Sequence, residues 1–140
     1  MTKESFLQKW HQIIFKKDYK LLYSILHEDI VFHTPLYLKP REGKDIVTAI
    51  LASASSIFQD FKYVQELTTN NGLNYILVFE AKVEGDTVRG VDIIRIDKEG
   101  LIVEFEVMMR PIKTLAKFGN LQAEGIPKKI QELQLFNAKL

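Results

Sequence analysis

Apolar residues recur every three to four positions at the start of the chain. Phe6, Trp10, Ile13 and Ile14 line one side of a predicted helix over 3–16. A second short helix is predicted after Asp18 on the stripe Leu21, Leu22, Ile25 and Leu26. Residues 30–34 form a β-branched and aromatic run ended by Pro35, the pattern of a short strand. Residues 36–43 contain Pro40 and Gly43 and read as a loop. Ile46, Val47, Ile50, Leu51, Ala54 and Phe58 restore the helical period over 44–58, and Ala52-Ser53-Ala54-Ser55-Ser56 is small enough for close packing against a sheet.

The pattern then changes to alternation. Four strands are predicted at 61–69, 73–83, 87–96 and 101–110, separated by Asn70-Asn71-Gly72, Gly85-Asp86 and Asp97-Lys98-Glu99-Gly100. Strands joined by tight turns are antiparallel, so these form a meander. A short helix is expected over 112–118, with breaks at Gly119 and Gly125, and a last helix started by Pro127 and reaching Phe136. Helices first and sheet second give an α+β fold. One domain over 1–140 is expected, with its core at about 5–115 and a helical tail at 112–140.

Counting back from the turns assigns the two faces of the sheet. Asp92 falls opposite Phe79 and Phe105, with Tyr63 beside Phe79. One face then carries Tyr63, Gln65 and Leu67, then Tyr75 and Leu77, then Gly90 and Ile94, then Val103, Val107 and Met109. The helices should cover it. The other face carries Ile76, Val78, Val91, Ile93, Ile102 and Met108 among Glu80, Arg89, Arg95, Glu104 and Glu106. So many β-branched residues among charges of both signs suit a contact with a second copy, and a homodimer through this outer face is expected.

Composition narrows the chemistry. With 46% hydrophobic residues in 140, the chain can bury a sizeable core. A net charge of +1 argues against a nucleic-acid partner, which calls for a basic patch. There is no cysteine, which removes thiolate nucleophiles and Cys-ligated zinc, and no apolar run of membrane-spanning length, so a cytoplasmic location without a membrane partner is expected. His11, His27 and His33 have no metal-ligand spacing, the seven glycines make no phosphate loop, and no serine sits in a nucleophile elbow. No metal and no cofactor are expected.

Asp92 stands out because it lies mid-strand in Val91-Asp92-Ile93-Ile94, on the apolar face. A buried carboxylate must be paired, hydrogen-bonded or protonated. It therefore reads either as an acid–base group with a raised pKa or as a structural Asp satisfied by a Tyr hydroxyl, the Trp10 indole or a backbone amide. His33, beside Thr34 and Pro35, is the second titratable candidate.

The order of elements, with Phe32-His33-Thr34-Pro35, Pro40 with Gly43, Gly90-Val91-Asp92 and Arg110-Pro111 at their spacings, resembles the SnoaL-like members of the nuclear transport factor 2-like superfamily. The resemblance implies a cone-shaped α+β barrel, with a strongly curved, mainly antiparallel sheet wrapping the helices around an apolar pocket, commonly as a homodimer. In the ketosteroid isomerases of that superfamily, a strand Asp-x-Phe-Arg holds a protonated Asp, and it matches Asp92-Ile93-Ile94-Arg95. Their general-base Asp before a Pro falls on Thr34, and their helix-borne Tyr donor falls on Trp10, so one of the three is kept and steroid isomerisation by that mechanism is not expected. The resemblance therefore implies Asp92 as a catalytic candidate, and His33, the neighbouring titratable group, is the candidate for the base that Thr34 cannot supply. Trp10, Phe32, Thr34, Tyr63, Phe79, Phe105 and Met109 are the candidate ligand-binding residues. The expected ligand is a small apolar oxygenated molecule, handled by isomerase-, cyclase- or dehydratase-like acid–base chemistry. The alternative is a non-catalytic ligand-binding or dimerisation module of the same fold.

Overall fold

The computed structural model describes residues 3–136. Helix α1 (Lys3–Lys16) sends Phe6, Trp10 and Ile13 into the core, as its periodicity demands. Asp18 then starts α2 (Tyr19–Ile25): its Oδ1 accepts the Leu21 N–H at 3.0 Å, satisfying a donor the first turn leaves open. Strand β1 (Leu26–His33) begins at the last residue of the predicted second helix, so Leu26 is buried as a strand residue. The expected loop contains a two-residue strand, β2 (Arg41–Glu42), paired with Val31 and Phe32 of β1. Helix α3 (Lys44–Ile57) follows, then β3 (Gln59–Thr68), β4 (Asn74–Val83), β5 (Asp86–Ile96), β6 (Ile102–Arg110) and α4 (Ile112–Glu132).

The six strands lie in the order β2-β1-β6-β5-β4-β3. The four long strands make the expected antiparallel meander, while β1 joins β6 in parallel. The sheet curls without closing, which leaves β2 and β3 as its edges. The main core lies between one sheet face and the helices, with Trp10, Leu22, Val47, Leu77, Ile94 and Phe105 at its centre.

The register departs from the sequence reading in instructive ways. The turn between β4 and β5 is Glu84-Gly85, both left-handed at φ 48° and 86°, the demand of a type I′ hairpin. Asp92 therefore pairs with Leu77 and Val107, not with Phe79 and Phe105. The slip is two residues in each case, so every side chain keeps its face. Two bulges do change faces. One between Tyr63 and Gln65 puts Gln65 and Leu67 opposite Val78 and Ile76 on the outer face. Another near Arg95 and Ile96 turns Ile102 inward, where it is fully buried.

The C-terminal segment is one helix, not two. α4 runs unbroken through Gly119, Gly125 and Pro127, and the two glycines lie against Leu36 and Ser53. A Cβ at Gly125 would fall well inside van der Waals contact of Ser53 Oγ, so glycine lets α4 press against the small-residue run of α3. The run thus packs against a helix as well as against the sheet. Lys117 Nζ donates to Asp86 Oδ2 at 2.6 Å and Thr114 Oγ1 to the Thr87 carbonyl at 3.2 Å, tying α4 to the start of β5. The expected tail extends to residue 140, and its last four residues lie outside those described.

Candidate functional site

A cavity of about 270 Å³ opens between α1, α3, α4 and the inner sheet face. Trp10 and Ile14 reach it from α1, Leu51 and Ala54 from α3, Phe118 and Gln122 from α4, and Asp92 and Phe105 from the sheet. Thr34 and Pro35 line it where β1 ends. Two charged residues, Lys17 and Asp60, are solvent-exposed and mark its mouth, with Lys17 Nζ donating to the Ser55 carbonyl at 2.7 Å.

Asp92 is the ionisable group inside, 6% exposed. Its Oδ2 accepts the Tyr63 hydroxyl at 2.7 Å, and that hydroxyl in turn accepts the Trp10 indole N–H at 2.8 Å. An indole N–H can only donate, so the chain runs in one direction, from Trp10 through Tyr63 to Asp92. Burial pushes the Asp92 carboxyl up to about 7, against the opposing pull of the Tyr63 hydrogen bond. Burial and the neighbouring carboxylate push the Tyr63 hydroxyl well above its ordinary range, so it stays protonated and keeps donating. The carboxyl thus titrates near neutral pH in an apolar wall, the condition under which a side chain both takes and returns a proton efficiently.

The remaining candidates separate by position. Trp10, Phe32, Thr34 and Phe105 line the cavity with Asp92. Tyr63 stands behind Asp92 as its donor. Phe79 lies under Phe61, with ring centroids 4.9 Å apart, and Met109 packs in the smaller core cluster around Phe118, so both sit outside the cavity wall. The Trp10 N–H, a candidate donor to ligand, is instead spent on Tyr63. His33 points away from the cavity: its Nε2 lies 2.9 Å from Glu104 Oε2 on the outer face, where Arg95 also reaches Glu104 at 3.0 Å. These two partners hold the Glu104 carboxyl below its usual range, His33 contributing most. Alternation along β1 explains the correction. Phe32 and Thr34 take the inner side, and His33 between them takes the outer, so His33 is not the cavity's base.

Gln122 escapes the sequence reading because its segment reads as a break between two glycines. In the continuous α4 it falls one turn after Phe118 and faces the cavity with it. It is 3% exposed, and its Nε2 donates to the Ile50 carbonyl at 3.2 Å. That bond assigns the amide's two ends, and Oε1 is left buried with no partner among the described residues. Such an acceptor costs about 1–3 kcal/mol. No group of three or more His, Cys, Asp or Glu able to hold a metal ion occurs among the described residues, and no helix there is long and apolar enough to cross a membrane.

Comparison with known proteins agrees with this architecture. A steroid delta-isomerase from Pseudomonas aeruginosa is 34% identical, with a TM-score of 0.85 over 92% of this chain and 94% of that one. An uncharacterised protein conserved in bacteria with a cystatin-like fold, from Silicibacter pomeroyi, is 29% identical, with a TM-score of 0.82 over 95% and 93%. An NTF2-like protein from Cytophaga hutchinsonii, at 18% identity, TM-score 0.63 and coverage of 82% and 96%, shares the fold. No curated protein matches the chain by sequence. The SnoaL-like domain matches residues 7–105, a stretch that runs from within α1 to within β6 and includes Asp92 itself, and the chain belongs to the SnoaL-like domain family.

Proposed function

We propose that the protein binds a small, largely apolar, oxygen-bearing molecule in the cavity and moves a proton on it with Asp92. The observation that carries this reading is the Asp92 carboxyl, buried in an apolar wall and titrating at about 7. The chemistry is of the isomerase kind. The ionised carboxyl takes a proton from carbon beside a carbonyl: the C–H bond breaks, an O–H bond forms on Asp92, and the electron pair passes to the carbonyl oxygen as an enolate. In a substrate with a C=C bond one carbon further on, the now neutral Asp92 returns the proton to the far carbon of that bond, the double bond moves next to the carbonyl, and the C=O re-forms. Without such a bond the proton returns to the carbon it left. The similarity to a steroid delta-isomerase supports this class. A cavity of about 270 Å³ lies at the small end of ligand pockets and favours a compact substrate.

Generic ketones suffice to test the chemistry. Small cyclic ketones in D₂O exchange their α-protons, and NMR follows the rate. The wild-type protein should accelerate exchange with a midpoint near pH 7, and Asp92→Asn should abolish the acceleration. Equal exchange in the two proteins overturns the proposal.

We further infer that a second copy covers the outer sheet face. Four of its charges already pair within the sheet, Arg89 with Glu80 and Arg95 with Glu104, so apart from Glu106 the face presents largely neutralised charges around apolar side chains. Ile76 and Met108 are 42% and 49% exposed there. A two-fold contact places such a patch on its own copy, apolar against apolar.

A further inference from the structure

The proposed proton transfer uses one wall of the cavity, the sheet, and leaves the polar group of the opposite element without a task. That group is Gln122 on α4, beyond residue 105 where the family match ends. Only 3% of it is exposed, and it lines the cavity. The Ile50 carbonyl fixes which end of the amide is nitrogen, so the end left without a partner among the described residues is an acceptor. Ser53 Oγ, another buried polar atom of this helix pair, does not meet it and has no partner among the described residues either. Oε1 is itself closed to a water-sized group, so a ligand reaches it through a small turn of the amide toward the cavity that Gln122 lines. An acceptor held in this way selects for a donor on the occupant, because an occupant without one leaves the oxygen desolvated and unpaired.

We propose that Gln122 Oε1 is a second polar anchor of the cavity and accepts a hydrogen bond from an O–H group of the ligand. The ligand class is then a compact apolar carbonyl compound that also carries a hydroxyl. Its carbonyl side faces Asp92 and its hydroxyl faces α4. This rests on the reading of the cavity as a small-molecule site and adds the specificity of that site. Thr34 and Ser55 are the hydroxyl-bearing lining residues; Thr34 lies near the sheet and its Oγ1 already accepts the Leu36 N–H at 3.2 Å, so it is the weaker acceptor for a ligand hydroxyl.

The test compares 4-hydroxyacetophenone with 4-methylacetophenone, near isosteres that differ in the donor. Trp10 is the only tryptophan and lines the cavity, so its indole N–H gives a single NMR signal that reports occupancy and yields a Kd for each probe. The hydroxyl compound should bind wild-type protein about tenfold more tightly. Gln122→Met keeps the length and apolar packing of the side chain and should erase that preference. Should it not fold, Gln122→Asn, which withdraws the oxygen by one methylene, gives the same readout. Equal affinity of the two probes in wild-type protein overturns this inference and leaves the cavity reading standing. A preference that survives in the variant also overturns it, since the hydroxyl is then read elsewhere. If neither probe moves the Trp10 signal, the cavity reading falls and this inference with it.

Discussion

The Trp10 indole N–H ends on the Tyr63 hydroxyl at 2.8 Å, which commits that hydroxyl's own proton to Asp92. A tyrosine in this place could otherwise act as an acceptor from the carboxylic acid. Because Trp10 occupies the acceptor side, the hydrogen bond favours the ionised form of Asp92 and partly offsets the effect of burial. Removing the hydroxyl while keeping the ring isolates that contribution. In Tyr63→Phe the Asp92 carboxyl should titrate above about 7, and the stranded indole N–H should cost about 1–3 kcal/mol of stability. Carbon-13 NMR titration of the Asp92 carboxyl reads the first effect and urea unfolding the second. A titration midpoint that stays put would show that burial alone sets it.

The contact between Gly125 and Ser53 can be dissected by a double-mutant cycle. Gly125→Ala brings a Cβ onto Ser53 Oγ and should destabilise by about 1–3 kcal/mol, despite the better helix propensity of alanine. Ser53→Ala alone removes a buried hydroxyl with no partner among the described residues and should be neutral or mildly stabilising. In the double variant only an ordinary contact with the Ser53 Cβ at 3.5 Å remains. It should therefore recover at least wild-type stability, about 0.5–1 kcal/mol above it if helix propensity is fully expressed. Urea unfolding of all four proteins checks the cycle, and additive effects would mean that the two helices move apart.

These two contacts also show what the sequence alone conveys about this fold and where it stops. Alternation and turn residues are enough to place Asp92 on the inner face, because a two-residue slip in a hairpin leaves each side chain on its side of the sheet. They do not place Gln65, Leu67 or Ile102, since a bulge inserts one residue and reverses the sides beyond it without any local signal in composition. Gly125 and Pro127 read as helix punctuation because local rules see the chain's own propensity and not the helix it lies against. Tertiary packing against α3 settles the matter for α4. The Tyr63 hydroxyl bond stays open in the sequence for a related reason: an Asp in an apolar strand announces the need for a partner but not which one meets it.

The outer sheet face yields a prediction about assembly. Wild-type protein at tens of micromolar should sediment as a dimer, roughly the range in which even a modest interface is populated. Met108→Glu adds a charge at the apolar part of the face, and its two-fold copy adds a second, so repulsion is counted twice in the dimer and not at all in the monomer. The variant should sediment as a monomer with unchanged circular dichroism. Met108 is 49% exposed in the single chain, so its substitution should leave the fold itself within about 0.5 kcal/mol of wild type. A monomeric wild-type protein would overturn the assembly.

Asp92→Asn connects the chemistry to stability, and its sign follows from the raised pKa. The folded chain holds the Asp92 proton up to about pH 7, whereas the unfolded chain releases it near the ordinary 3.8. Between those values the folded state binds more protons than the unfolded one, so this group's contribution to stability falls as pH rises. It is complete below about 4 and lost above about 7. The shift of about three pH units corresponds to about 4 kcal/mol at most. Asparagine has nearly the same shape, still accepts the Tyr63 proton through its amide oxygen, and does not titrate. The stability difference between variant and wild type should therefore be small at pH 4, grow in favour of the variant through pH 5 and 6, and level off at a few kcal/mol near pH 8. Proton exchange into cyclic ketones should be lost over the same range, as expected where a group that serves catalysis is held at a cost to the fold. Urea unfolding of both proteins at half-unit pH steps gives the curve. A difference that stays flat from pH 4 to 8 would mean that Asp92 ionises as an ordinary carboxylate, and the proton-transfer role would fall with it.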